Sequence, residues 1–153
     1  MPFDAAGYHL EPVADYIDRA RAMIATPDRW CQLKLVDGVR HCAIGALTAV
    51  VFGDGDYGYL AVNMAMCFDR SAKVPDRWPV PARLVPLVDR YNEAVDYLDH
   101  AARKQGFDGI MRLNDDRSVL FRKRQHKRVL RTMSDAATRA RADVNTLLGF
   151  QMA

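Results

Sequence analysis

The stretch VRHCAIGALTAVV, residues 39–51, places a histidine and a cysteine directly before a run of small and apolar residues. From Cys42 onward the run predicts a buried helix, and the lack of bulk at Gly45 and Ala46 would let another element approach closely. At the N-terminus of such a helix, the dipole and the free backbone N–H groups would favour a cysteine thiolate. Cys42 is therefore either a nucleophile or a small apolar residue of the core.

Length and composition limit the classes of protein to which the chain can belong. The chain has 153 residues, half of them apolar, and we expect one domain spanning residues 1–153 with a sizeable core. It contains no run of about eighteen apolar residues, so we expect no membrane span. The N-terminal MPFDAAGYHLEP lacks the basic and apolar regions of a secretory signal. Together with three cysteines that lack a framework spacing, this favours a cytoplasmic protein.

Apolar periodicity predicts a mainly α fold. The strongest pattern is the stripe over 83–104, which ends near Gly106, a residue suited to the left-handed conformation at a helix end. Residues 53–58 and 107–121 are expected to be loops, with SVLF (118–121) as a short strand in the second. We predict about five helices, over residues 10–25, 42–52, 59–69, 83–104 and roughly 123–148.

A small β-hairpin is predicted over residues 30–42, WCQLKLVDGVRHC. Leu33 and Leu35 alternate with polar residues, and Asp37-Gly38 is a dipeptide that readily forms a two-residue turn. An isolated hairpin is marginally stable, so the neighbouring helices would have to supply a packing surface.

The positions that carry a family resemblance are Trp30, Gln32, Cys42, Ala43, Gly45, Ala46, Leu47, Asn114 and Asp115. In this pattern, over most of residues 18–140, the chain resembles a family of small bacterial and phage proteins classed only as a domain of unknown function. Family members resemble one another in a Pro-Gly-Arg-Thr-type cap directly after Asn-Asp, whereas here DRSVLFRKRQH follows and is several residues longer, which changes the entry to the last helix. The resemblance implies a shared fold and a shared site, and it carries no activity.

The function we favour is binding of a small ligand or a protein partner, without catalysis. In this interpretation Trp30, Gln32, Cys42, Asn114 and Asp115 line one polar pocket. Trp30 would supply a stacking surface, while the amide and carboxylate groups would fix a polar ligand. A simpler interpretation remains open, because Asn and Asp commonly stabilise turns and helix starts.

A second hypothesis is a hydrolase or transferase that depends on Cys42. Gln32 could assist an oxyanion and Asn114 could orient a base, as in papain-like enzymes. The base itself is the weak point, because on a strand His41 points to the opposite face from Cys42. Asp115 is a poor base for a thiol in acyl transfer. We therefore favour a cysteine packed in the core.

A third hypothesis is a nucleic-acid-associated protein that uses the basic run RKRQHKRVLR, residues 122–131. Cations at a helix start oppose the macrodipole, although such a run is usually a solvated face. We expect neither cofactor nor metal, because the cysteines are 11 and 25 residues apart without a CxxC motif. The long last helix would also suit a homo-oligomer. The basic candidates are Arg122, Lys123, Arg124, Lys127, Arg128 and Arg131.

Overall fold

A computed structural model of the chain describes residues 10–53, 56–118 and 121–152. These residues form a mainly α fold with a small antiparallel hairpin, which confirms the predicted fold class. Short 3-10 turns occupy Pro27–Arg29 and Ala82–Leu84. The helices are α1 (Val13–Met23), α2 (Ala43–Phe52), α3 (Asp56–Asp69), α4 (Val85–Arg103), α5 (Ile110–Asn114) and α6 (Arg122–Met152), and the strands are β1 (Val36–Asp37) and β2 (Arg40–His41).

The helices pack in layers. Helices α1 and α4 contact each other, and both contact α2 on one side and α6 on the other. Helix α1 runs antiparallel to α6, because Arg21 of α1 donates to the Leu130 carbonyl whereas Asp15 pairs with Arg141. Helix α2 is buried on nearly all sides because its residues are almost all apolar, and it also contacts α3 and α5. No helix in the described ranges is long and apolar enough to cross a membrane.

The hairpin differs from the prediction. Asp37 pairs with Arg40, so the two turn residues are Gly38 and Val39 rather than Asp37 and Gly38. Gly38 takes the positive φ of +62° that the turn requires, and an ion pair joins Asp37 to Arg40 across it. The strands have only two residues each, and residues 32–35 form bends instead of continuing β1. Trp30 makes a single bridge to His41 beside the hairpin.

The helix boundaries also bring corrections. Helix α5 lies within the predicted loop 107–121, because five residues are too short to show a periodic pattern. Helix α3 includes Gly58, which we expected in a loop, and it leaves Leu60 and Phe68 exposed instead of being buried. The predicted strand SVLF falls partly outside the described residues.

Helix α6 is longer than the core beneath it. Its predicted apolar stripe is buried between Val129 and Ala140 except for the half-buried Leu130, but Val144, Leu147 and Leu148 are exposed, so the prediction is wrong for these three. The reason is the length of α1, which begins at Val13, close to the level of Arg141. No part of α1 follows α6 beyond that level.

Candidate functional site

The centre of the predicted site is Asn114, the last residue of α5, which is only 2% exposed. Its Oδ1 accepts hydrogen bonds from the indole Nε1–H of Trp30 (2.8 Å) and the backbone N–H of Ala43 (3.1 Å). Its Nδ2 donates to the carbonyl of Cys31 (3.2 Å) and to Oδ1 of Asp115 (2.9 Å). The amide thus uses two acceptor and two donor positions, its full capacity, on groups within the protein.

Gln32 and Asp115 extend this arrangement, which we call the Asn114 network. Nε2 of Gln32 donates to the carbonyls of Asn114 (3.0 Å) and Asp116 (3.1 Å). Oδ1 of Asp115 accepts from the backbone N–H of Leu33 (2.9 Å). The network therefore ties the segment that leads into the hairpin to the end of α5. Leu33 is held there in the left-handed conformation (φ +67°), which is uncommon for a branched side chain.

Trp30 is enclosed by the protein. The whole residue is buried, and its ring lies 5.3 Å from the ring of His126 between centroids. The guanidinium of Arg122 sits over the Trp30 ring at 5.0 Å and donates to the carbonyls of Pro27 and Trp30. The ring thus has no open face on which a ligand could stack.

Cys42 is the N-cap residue of α2. Its Sγ accepts a hydrogen bond from the backbone N–H of Gly45 (3.2 Å), and burial raises the pKa of the thiol to about 12. The neutral thiol is therefore the form present at physiological pH, and the neutral form is a poor nucleophile. His41 shares a hydrogen bond with the Tyr59 hydroxyl (3.2 Å). This geometry favours the interpretation of Cys42 as a capping and core residue.

A small cleft adjoins the network. Its volume is about 20 Å³, which is room for about one water molecule. The structure thus brings Trp30, Gln32, Cys42, Asn114 and Asp115 together as predicted, but around their own hydrogen bonds rather than around a space for an organic ligand. The cleft is lined by Leu33, Lys34, Cys42, Ile44, Met66, Met111, Asn114 and Asp115.

The basic run divides between two faces of α6. Arg122 is exposed but donates to two backbone carbonyls, whereas the half-buried Arg128 has an ion pair with Asp116 (3.2 Å) and a contact over the Phe107 ring at 5.5 Å. The remaining candidates, Lys123, Arg124, Lys127 and Arg131, are exposed.

Two buried polar residues inside the basic run are not among the site residues predicted from the sequence. Gln125 donates to the Leu113 carbonyl, and His126 bonds to the Ile24 carbonyl at 2.7 Å. Helical spacing is the signal that could have found them, because positions 122, 125, 126 and 129 lie on one side of a helix. In the described part of the chain, no three His, Cys, Asp or Glu residues are grouped so that they could hold a metal ion.

Gly45 is the closest backbone contact of the site. A Cβ at this position would lie 1.8 Å from the carbonyl oxygen of Leu35, which also accepts a hydrogen bond from the Cys42 N–H (3.1 Å). Only glycine therefore lets the hairpin segment lie directly against the first turn of α2.

Comparison with known proteins gives one match. No curated protein and no solved structure is significantly similar to this chain. The model of a family of unknown function, DUF6197, matches residues 9–149, which is most of the sequence. The chain therefore belongs to the DUF6197 family, whose function is unknown.

Proposed function

We propose that this protein is a binding protein without a catalytic role, and that its partner is another protein. The contact surface would be residues 33–39, which we call the recognition loop. The Asn114 network would serve as the base that fixes this loop. The proposed contact lies in the region expected from the sequence. It is on the surface above the Asn114 network rather than in a pocket.

The observation that carries the proposal is that Leu33 combines a strained backbone with an exposed side chain. Its backbone has a conformation that costs about 1–2 kcal/mol for a residue other than glycine, yet its side chain is 60% exposed. Val36 and Val39 in the same loop are 40% and 69% exposed. Backbone strain that the surrounding structure enforces is concentrated at functional sites, and exposed apolar residues grouped together are typical of interaction surfaces.

The shape and charge of the loop favour a protein partner over a small molecule. Small-molecule sites are concave, whereas the adjoining cleft has room for about one water and the apolar side chains of the loop extend into solvent. Arg40 is paired with Asp37, but Lys34 is exposed and has no ion pair among the described residues. We therefore expect a partner with an apolar groove for Leu33 and Val39 and an acidic side chain opposite Lys34.

The test begins with a photoreactive amino acid placed at position 39 of the chain in cells that naturally make the protein. The control carries the same amino acid in place of Val144. We expect a protein cross-linked at 39 and absent at 144. That protein, once purified, should bind wild type and the control Leu147→Ser equally, and should bind Val39→Ser at least about tenfold more weakly. Absence of a position-specific cross-link, or equal binding by Val39→Ser, would overturn the proposal.

The variant Leu33→Gly distinguishes an effect on partner binding from an effect on the stability of the fold. Glycine adopts positive φ freely, so the relief of strain offsets its loss of chain entropy, and we expect stability within about 1 kcal/mol of wild type. Binding to the cross-linked partner should nevertheless fall by about tenfold or more. The matched control is Arg70→Gly, because Arg70 is also exposed with a positive φ (+53°). Equal binding by both glycine variants would contradict a role for the Leu33 side chain.

A further inference from the structure

Four exposed cations of the basic run form one continuous surface on α6. Lys123, Lys127 and Arg131 recur every four residues, and Arg124 lies beside them. At 1.5 Å per residue this row is about 12 Å long. We call these four residues the cationic face. It is separate from the recognition loop and independent of the function proposed above.

The cationic face lacks acidic partners in the described part of the chain. Other arginines of α6 have them: Arg128 pairs with Asp116, Arg139 with Asp143, and Arg141 with Asp15 and Asp18. Lys123 and Arg124 also stand in the first turn of the helix, where the macrodipole disfavours positive charge. An external anion would relieve both unfavourable conditions.

The surroundings extend this positive surface toward α4. Lys104 and Arg131 border one groove between α4 and α6, together with Arg139 and with Asp135 as the acidic residue. The apolar residues of the run point away from it, since Val129 is buried and Leu130 is half-buried. Protein–protein interfaces are depleted of charge at their centre, whereas nucleic-acid interfaces are polar and strongly positive.

We propose that the cationic face binds the phosphate backbone of nucleic acid without sequence preference. Each strand of a duplex carries one phosphate per 3.4 Å or so of helix axis, so the four cations of a row about 12 Å long can neutralise up to about four phosphates. Of the six cations in the basic run, only these four would take part, because Arg122 donates to the Pro27 and Trp30 carbonyls and Arg128 pairs with Asp116.

The test is fluorescence anisotropy of a labelled 20-base-pair DNA duplex, titrated with the full chain at several salt concentrations. Four phosphate contacts predict a slope of log affinity against log salt of about −3.6, or about a 150-fold loss between 50 and 200 mM. For Lys127→Gln/Arg131→Gln we expect a slope of about −1.8 and about a 12-fold loss.

The control Arg70→Gln/Arg83→Gln removes the same charge outside α6 and should retain the wild-type slope. Circular dichroism melting checks that each variant is folded. No binding of wild type at 50 mM salt, or equal slopes for the two double variants, would overturn the proposal. Tighter binding of labelled polyglutamate than of the duplex would also overturn it, in favour of an acidic protein.

Discussion

The Asn114 network and the cationic face of α6 are both rich in polar residues, and both stand out in the sequence, but they are opposites in the structure. Asn114 is buried, and each of its side-chain hydrogen-bonding positions is used within the protein. The four cations are exposed and lack ion pairs among the described residues. Buried polar groups must be satisfied internally, whereas exposed ones remain available to partners. The first region therefore holds the fold, and the second is free to bind.

The largest effect that would test this difference is expected for Gly45→Ala. The new methyl group would overlap the Leu35 carbonyl, so the backbone must shift and the Leu35–Cys42 hydrogen bond is lost. We expect a loss of about 4 kcal/mol or more in the free energy of unfolding, measured by urea denaturation. Gly149→Ala, where a Cβ meets nothing within 4 Å, should gain up to about 1 kcal/mol. A change below about 1 kcal/mol at Gly45 would refute the close approach.

The second largest loss of stability is expected for Asn114→Ala. It leaves the Trp30 indole N–H and the Ala43 backbone N–H without their acceptor in a buried site, and we expect a loss of about 3 kcal/mol. Asn92→Ala is the matched control, since the half-buried Asn92 makes two hydrogen bonds to Val74 and should lose about 1–2 kcal/mol. By contrast, Lys127→Gln on the cationic face should change stability by less than about 0.5 kcal/mol. Similar losses for Asn114→Ala and Lys127→Gln would remove the distinction between the two regions.

The smallest effect concerns alkaline pH. Burial raises the pKa of the Cys42 thiol from about 9 to about 12, so between these values the folded chain binds more protons than the unfolded one. The contribution of this thiol to stability is therefore complete below pH 9 and is lost as pH rises toward 12, by at most about 1.4 kcal/mol per pH unit. Urea denaturation from pH 8 to 10.5 should show a shallower decline for Cys42→Ala than for wild type. Parallel declines would mean that Cys42 is not buried as a thiol.

Local sequence rules anticipated much of the fold. The start of α2 at Cys42, the α4 stripe and the positive φ of Gly106 follow from apolar periodicity and helix-end preferences, which depend on a few neighbouring residues. The turn was misplaced by one residue because Asp37-Gly38 is a strong local signal, while the observed register also aligns Asp37 with Arg40. Helix α5 has no such signal and is defined by its packing against α2, α4 and α6.

The residues of the candidate site could be named from the sequence, but the groups to which they bind could not. The resemblance brought together Trp30, Gln32, Cys42, Asn114 and Asp115, yet residue types alone do not reveal whether an amide faces a ligand or an indole. That distinction depends on the fully buried position of Trp30 and on hydrogen bonds across 84 residues of chain. The basic run was treated as one unit for a similar reason, although helical spacing already places Arg122 on the side of the helix that Gln125, His126 and Val129 bury.

The bond between Trp30 and Asn114 also has a consequence for synthesis of the chain. Asn114 is made 84 residues after Trp30, which takes roughly 4 to 17 s at ribosomal rates of 5–20 residues per second. For part of that time the largely apolar α2 has only α1 to pack against, because α3, α4 and α5, which also contact it, follow it in the chain. The nascent chain therefore exposes the centre of its future core for seconds, and a chaperone that shields apolar segments would act before Asn114 arrives.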